Sequence, residues 1–315
     1  MRTAAKKNFG FGRSIGYAIR NVLLYRFGDG RFGTRYTHRH RATFFVDFLR
    51  SRSIRDLRDV THETVLSYAR QLKDSVDDGY LAISTAQNRL SSVNVLMETA
   101  RCDKACAVSP RQEIGARDRI RREPPADLCA ETVWAAAATA RDEGYWDLAM
   151  ALVLCRFCGT RIREAALLDI RKAVRSTVNK GAITIVHGSK GGRAKSIPRE
   201  IVVPRRLATW LADAKSSLAS PNLIPVGQTF SAWYQDVYRR FRPIALQHQL
   251  ANGFHDLRAS YACERYELLT GFEAPCVVGR RLADKTADLS ARETIAEELG
   301  HGRVDVIGSY IGSRR

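Results

Sequence analysis

Six side chains in the C-terminal half of the sequence have the types that phosphodiester chemistry requires. They are Arg161 in CGTRIREAALLDI, Lys190 in HGSKGGRAKSIP, His255 and Arg258 in FHDLRAS, His301 in ELGHGRVDV and Tyr310 in VIGSYIG. Cleaving and resealing a phosphodiester without metal or nucleotide takes a nucleophile that stores the bond energy, cations on the phosphoryl oxygens, a proton donor for the leaving oxygen and a base. His255 and Arg258 are three residues apart, which places both on one helix face and lets them approach one phosphate together. Tyr310 follows His301 by nine residues. In one straight helix that separation is about 900° of rotation and roughly 13 Å of rise, with the two side chains on opposite faces. Gly302 and Gly308 offer places to break the chain, so Tyr310 can stand on its own short segment.

Lys190 lies between Gly188-Ser189 and Gly191-Gly192, a tight turn that could push an ammonium into a groove. Arg193 and Lys195 follow closely and could fill the same role, and Lys190 could equally be a plain phosphate contact. The turn does not satisfy GxxxxGK[ST], so nucleotide hydrolysis is disfavoured. No clustered acidic pair and no HxxxH offers metal ligands. Cys155 and Cys158 have CxxC spacing but sit in the apolar stretch WDLAMALVLCRFCG with no second pair to complete a shell, and read as core thiols. No metal site is expected.

The elements that must position these residues form a mainly helical chain with a small β-hairpin in its C-terminal domain. Residues 1–35 carry six glycines among arginines and aromatic residues and read as a basic arm, ordered at most in part. Residues 36–110 read as a small helical domain, with apolar residues at three- and four-residue steps around Ala42 to Arg50, His62 to Leu72 and Thr85 to Thr99. Thr61 and Ser84 are suitable N-caps, and only Ser84 with Gln87 matches a capping box. Residues 111–125, dense in charge and closed by two prolines, read as a basic linker. The second domain, 126–315, alternates helical patterns with two candidate strands, Ala182 to Val186 and Ser196 to Val203, on either side of the glycine-rich turn. Its later helical patterns run from Arg205 to Leu218, Phe230 to Leu250, His255 to Leu269 and Arg292 to Leu299.

The formal charge is +18, from 51 basic and 33 acidic side chains. Both parts contribute, with 24 basic and 13 acidic residues up to residue 125 and 27 and 20 after it. A polyanion met by both domains is the expected partner. The longest apolar run, Leu148 to Cys155, is eight residues, far short of the roughly 20 that a membrane span needs. No signal peptide is evident, and the seven cysteines are odd in number and scattered, so reduced thiols and a cytoplasmic location are expected.

The ordered set of an arginine with glutamate three residues on, a hairpin lysine, HxxR, LGH and a late tyrosine resembles the tyrosine recombinase (phage integrase) family over about 150 residues. Single pieces of it are weak; five in register are specific. The resemblance implies a two-domain clamp around duplex DNA, with residues 36–110 similar to the family's core-binding domain. Arg161 and Arg258 would clamp the phosphate, which suits guanidinium because it offers paired donors and keeps its charge. Lys190 would protonate the leaving 5′ oxygen, with His255 at the same phosphate. His301 would donate to a nonbridging oxygen, and Glu164 would be the buried acidic partner of the site's cations. Tyr310 would attack the phosphate to leave a 3′-phosphotyrosyl link, which a second 5′ hydroxyl reverses without any cofactor. Arg39, Arg41, Arg119, Arg121, Arg122, Arg193 and Lys195 are candidate DNA contacts. Integration or excision of a mobile element by a homo-oligomer, a tetramer on DNA with accessory DNA-bending or directionality proteins, follows from the same resemblance.

The sequence departs from the family pattern in two places. The interval from Arg258 to Leu299 is long, with the excess in 271–290, read as an inserted loop in which Arg280 and Arg281 tilt toward DNA contact. Only five residues follow Tyr310, which puts exchange of a C-terminal tail between subunits in doubt. Two other readings share the scaffold. Relaxation of the type IB topoisomerase kind uses the same chemistry, and a silent DNA-binding regulator would have lost one or more of the six residues.

Overall fold

The structure, a computed structural model, describes residues 6–188, 198–250 and 253–314. The chain divides into two compact units, one ending at Asp118 and the other beginning at Arg119.

In the first unit, Ser14 caps α1 (Ile15–Phe27) by accepting the Tyr17 N–H. Ile15, Ala18, Ile19, Val22 and Leu23 recur at the three- and four-residue steps of one helix face, and all are buried. They share a core with α2 (Phe32–Ser51), α3 (His62–Asp77) and α4 (Ile83–Arg101). Residues 6–35 are therefore part of a packed unit and not the expected arm. Its glycines punctuate the chain: Gly28, at a φ of 67°, ends α1. Asn8 fastens the segment from within. It is fully buried with a φ of 50°, a left-handed conformation that asparagine tolerates. Its backbone N–H donates to Asp56 Oδ1 (2.8 Å), its Oδ1 accepts the Leu57 N–H (2.8 Å) and its Nδ2 donates to Gly12 O (2.7 Å). Asn8→Ala is expected to destabilise the first unit by roughly 2 kcal/mol or more, since it strands the Leu57 and Gly12 backbone groups. Urea denaturation of the two proteins tests this, and an unchanged midpoint would return the segment to the status of an arm.

The caps differ from expectation. Thr61 and Thr64 form the reciprocal capping pair of α3, whereas Ser84 lies inside α4, whose N-cap is Ala82. Gln87 is buried and serves the chain beyond: it donates to Gly115 O and accepts from Arg117 Nε. Arg117 also reaches Asn88 Oδ1 (2.9 Å). A short helix, α5 (Pro110–Glu113), is followed by buried Ile114, so the first part of the predicted linker belongs to this unit.

The second unit is built on α6 (Ala130–Asp142) and α7 (Trp146–Phe157). Every residue of α7 from Asp147 to Phe157 is buried, as its near-continuous apolar sequence requires. Of its two charged residues, Asp147 accepts from Trp233 Nε1 (2.8 Å) and from both terminal nitrogens of Arg240 (2.8 and 2.7 Å), and Arg156 donates to Asp127 O (3.2 Å) and Leu128 O (2.8 Å). Cys155 and Cys158 lie in this core, where burial pushes the Cys155 thiol up to about 12. Then come α8 (Ile162–Ala166), α9 (Ile170–Lys180) and a two-stranded antiparallel sheet of β1 (Ala182–Ile185) and β2 (Arg199–Val202). Ala182 pairs with Val202 and Ile185 with Arg199. α10 (Arg205–Ser217) and α11 (Phe230–Gln247) complete the main core. A second cluster packs α12 (Phe254–Thr270), α13 (Pro275–Val278), α14 (Lys285–Glu298) and α15 (Gly308–Ile311). The predicted 271–290 loop is thus α13 and the start of α14, which Asp284 caps through the Thr286 and Ala287 N–H groups (2.8 and 3.0 Å). Among the described residues no helix is long and apolar enough to cross a membrane.

Candidate active site

Arg161 is the N-cap of α8, and Glu164 one turn on reaches back to it. The Glu164 carboxylate accepts the Arg161 backbone N–H (2.8 Å) and its Nη1 (2.7 Å). Glu164 has a second partner that sequence reasoning missed. Arg199, the first residue of β2, donates Nη1 (3.1 Å) and Nη2 (2.5 Å) to it. Arg258, from the first turns of α12, lies 3.7 Å away. One buried carboxylate therefore stands among three guanidiniums. Burial works against its charge, but the hydrogen bond and charge of Arg199, with the charges of Arg258 and Arg161, bring its pKa down to about 2.

His301 reaches this cluster because of how α14 ends. Gly300, at a φ of 63°, is the left-handed residue of a Schellman turn: its N–H donates to Glu297 O (2.8 Å), and the His301 N–H donates to Ala296 O (2.7 Å). A side chain at Gly300 would also collide with the Arg199 guanidinium. The glycine of LGH thus serves both a chain reversal and a close approach.

Arg258 is fully buried and commits its donors locally, Nη1 to Gly159 O, Nη2 to Leu299 O (2.6 Å) and Nε to Tyr310 Oη (3.3 Å). Burial lowers its pKa to about 10, so it stays charged at neutral pH. His301 Nε2 lies 3.2 Å from Arg258 Nη2, 3.3 Å from Arg161 Nη2 and 3.2 Å from Tyr310 Oη. Burial, then the charges of Arg258, Arg161 and Arg199, push its pKa down to about 3. The ring is neutral, and the guanidiniums assign Nε2 as the acceptor. Two obligate donors, Arg258 Nη2 and Arg161 Nη2, face this nitrogen.

This gives a pH prediction. Between pH 6.5 and 3 the unfolded chain protonates this histidine and the folded chain does not, so its contribution to stability falls as pH falls through that window. His301→Gln should lose less of its melting temperature between pH 7 and pH 5 than the unsubstituted protein. Equal losses would sink the assignment.

His255, on the first turn of α12, sets its ring 5.3 Å from that of Tyr310, tilted by 51°. Desolvation, then the charge of Arg258, lowers its pKa. Tyr310 is 4% exposed and turns its hydroxyl inward onto Arg258 and His301. Arg161, His255, Arg258, His301 and Tyr310 thus converge across about 150 residues of sequence, with Glu164 beneath them. Lys190, Arg193 and Lys195 lie outside the described residues. Arg39 on α2 is exposed and Arg41 half-buried; Arg119 and Arg122 are exposed. The Arg121 side chain pairs with Asp256 (2.9 Å) and bonds Glu123 O (2.8 Å). Among the described residues no group of three or more histidine, cysteine or acidic residues could hold a metal ion.

No protein-family model and no curated protein sequence matches the chain. Solved structures do. A lambda integrase dimer bound to a COC′ core site matches with a TM-score of 0.59 at 16% identity, covering 94% of this chain and 76% of that one. The XerH site-specific recombinase bound to its difH substrate matches with a TM-score of 0.58 at 16% identity, covering 94% and 82%. The Tn1549 transposon integrase in complex with transposon right end DNA matches with a TM-score of 0.56 at 13% identity, covering 94% and 95%. The chain has the fold of the tyrosine recombinases.

Proposed function

We propose that the protein is a site-specific DNA recombinase or integrase that cuts and rejoins duplex DNA through Tyr310, in the service of a mobile element. The observation that carries this reading is the position of Tyr310 Oη, 3.3 Å from Arg258 Nε and 3.2 Å from His301 Nε2, on a recombinase fold. A scissile phosphate at the Arg161 and Arg258 guanidiniums brings negative charge to a cluster whose one carboxylate faces three cations. That charge raises the basicity of His301, which takes the phenolic proton as Tyr310 Oη bonds to phosphorus. The bond from phosphorus to the 5′ oxygen breaks, and Lys190 gives that oxygen its proton. The 5′ hydroxyl of a second strand then attacks the phosphotyrosine and releases Tyr310. Four protomers on two duplexes suit such an exchange, with Arg39 and Arg119 facing the phosphate backbone.

The test uses a library of duplexes with a randomised centre and one nick at a varied position. The purified protein is added, the mixture is denatured in detergent, and covalent adducts are isolated and sequenced. Adducts enriched for one sequence and carrying DNA on the Tyr310 peptide support the reading. Adducts without sequence preference, together with relaxation of any supercoiled plasmid, would replace it with topoisomerase-like activity.

A further inference from the structure

Tyr310 stands on α15, a single turn closed by the Gly312 N–H on Gly308 O at 3.2 Å. A turn this short has no stability of its own, because nucleating a helix fixes several residues for one bond. Its carbonyls, and those that follow, are held by donors from elsewhere in the second unit. Ahead of the tyrosine, the Arg121 N–H donates to Gly308 O at 2.9 Å. Behind it, fully buried Arg292 of α14 donates Nη1 to Gly312 O (3.2 Å) and Nη2 to Ser313 O (2.9 Å). Asp288, one turn earlier on α14, takes Arg292 Nε on both oxygens at 2.9 Å and accepts the Tyr266 hydroxyl at 2.9 Å. Gly312 has a φ of 94°, and a Cβ there would lie 2.6 Å from the backbone nitrogen of Cys276. The 271–290 segment therefore packs its main chain against the peptide two residues beyond the tyrosine. The Cys276 thiol lies 3.7 Å from Tyr310 O, and Arg281 Nε donates to Arg314 O at 2.9 Å.

We infer that Arg292 is a positioning residue for the nucleophile, and that the 271–290 segment is the other wall of the cradle in which the Tyr310 peptide is set. Arg292 touches neither Tyr310 Oη nor the arginine cluster. It acts by holding the carbonyls two and three residues after the tyrosine, and Asp288 aims it. The inserted segment thus works inside its own subunit, with Arg281 turned to the chain end in place of the expected DNA contact. The inference rests on the reading of Tyr310 as the nucleophile.

Arg292→Lys is the decisive variant. It keeps a positive charge beside Asp288, but an ammonium lacks the planar fork that meets a carboxylate and two carbonyls together. Three measurements are compared with the unsubstituted protein: affinity for the nicked duplex library, the single-turnover rate of detergent-resistant adduct formation, and hydrogen exchange of amides 308–313. The expected result is affinity within about threefold, exchange faster by at least about tenfold, and adduct formation slower on the order of 100-fold, the cost of misplacing a reacting group by about 1 Å. Unchanged exchange overturns the inference, and so does a parallel loss of affinity and rate, which would make Arg292 an ordinary structural ion pair. If Arg292→Lys does not fold, Gly312→Ala displaces the same peptide with the Arg292 pair intact, and unsubstituted exchange and rate there overturn the inference. If the unsubstituted protein forms no adduct, the recombinase reading fails while hydrogen exchange still decides whether Arg292 holds the Tyr310 peptide.

Discussion

Tyr310→Phe is expected to abolish covalent capture of DNA, lowering adduct formation on the order of 10⁴-fold or more, as removal of a nucleophile does elsewhere. The substitution deletes one oxygen. That oxygen bonds Arg258 Nε and His301 Nε2 and touches nothing the fold depends on, since Arg258 keeps its bonds to Gly159 O and Leu299 O. The ring stays in the cluster with Tyr266, Cys276, Ile307 and Ile311. Stability should therefore change by no more than about 1 kcal/mol, and DNA affinity should be retained. Detergent-resistant adducts on the nicked library, with a mobility shift on the same DNA, measure both quantities. An adduct that persists in the phenylalanine protein places the nucleophile elsewhere.

Glu164→Gln is expected to have the largest effect on stability. Its carboxylate is fully inaccessible and is the acidic group for Arg161, Arg199 and Arg258 at 2.7, 2.5 and 3.7 Å. A neutral amide leaves three buried or half-buried guanidiniums facing one another, and breaking a buried pair of this kind costs about 3–5 kcal/mol. The sign with pH follows from the carboxyl's fall from 4.5 to about 2 on folding. A depressed carboxyl pKa contributes stability that is whole above the unfolded value and is lost as pH falls toward the folded one. The difference between the two proteins should therefore be greatest at neutral pH and narrow as the solution is taken from pH 4.5 toward 2. Denaturant titrations at pH 7 and pH 3 check it. A loss under about 0.5 kcal/mol at pH 7, or one that does not narrow in acid, would show that the three arginines need no common anion.

Much of the site was legible because its pieces are local. HxxR places His255 and Arg258 by helical repeat alone, and the chain does so on the first turns of α12. The end of α14 was legible as the last apolar step of the pattern from Arg292 to Leu299, while the left-handed turn at Gly300 came from the structure. The separation of His301 from Tyr310 by a broken chain was legible from Gly302 and Gly308, and a short 3-10 segment, Val304–Ile307, does stand between them. Alternation was enough for β1 and for the described part of β2, the start of the expected second strand at Ser196 lying outside the described residues. In residues 6–35 the glycine content points to an arm, and the apolar face running from Ile15 to Leu23 overrides it.

What the sequence determined by itself is the inventory: two arginines, two histidines and a tyrosine in register, a strongly basic chain, and helices and strands whose periods are written in nearest neighbours. The tertiary structure decided which further groups complete that inventory. Arg199 meets Glu164 across 35 residues, and Arg292 meets the carbonyls of Gly312 and Ser313 across 20 and 21. An arginine that bonds a surface phosphate and one that holds a buried carboxylate or carbonyl look alike as letters. Burial tells them apart, and burial is a property of the packed chain. Only the packing of α14 and the 271–290 segment against α15 decided where Tyr310 stands.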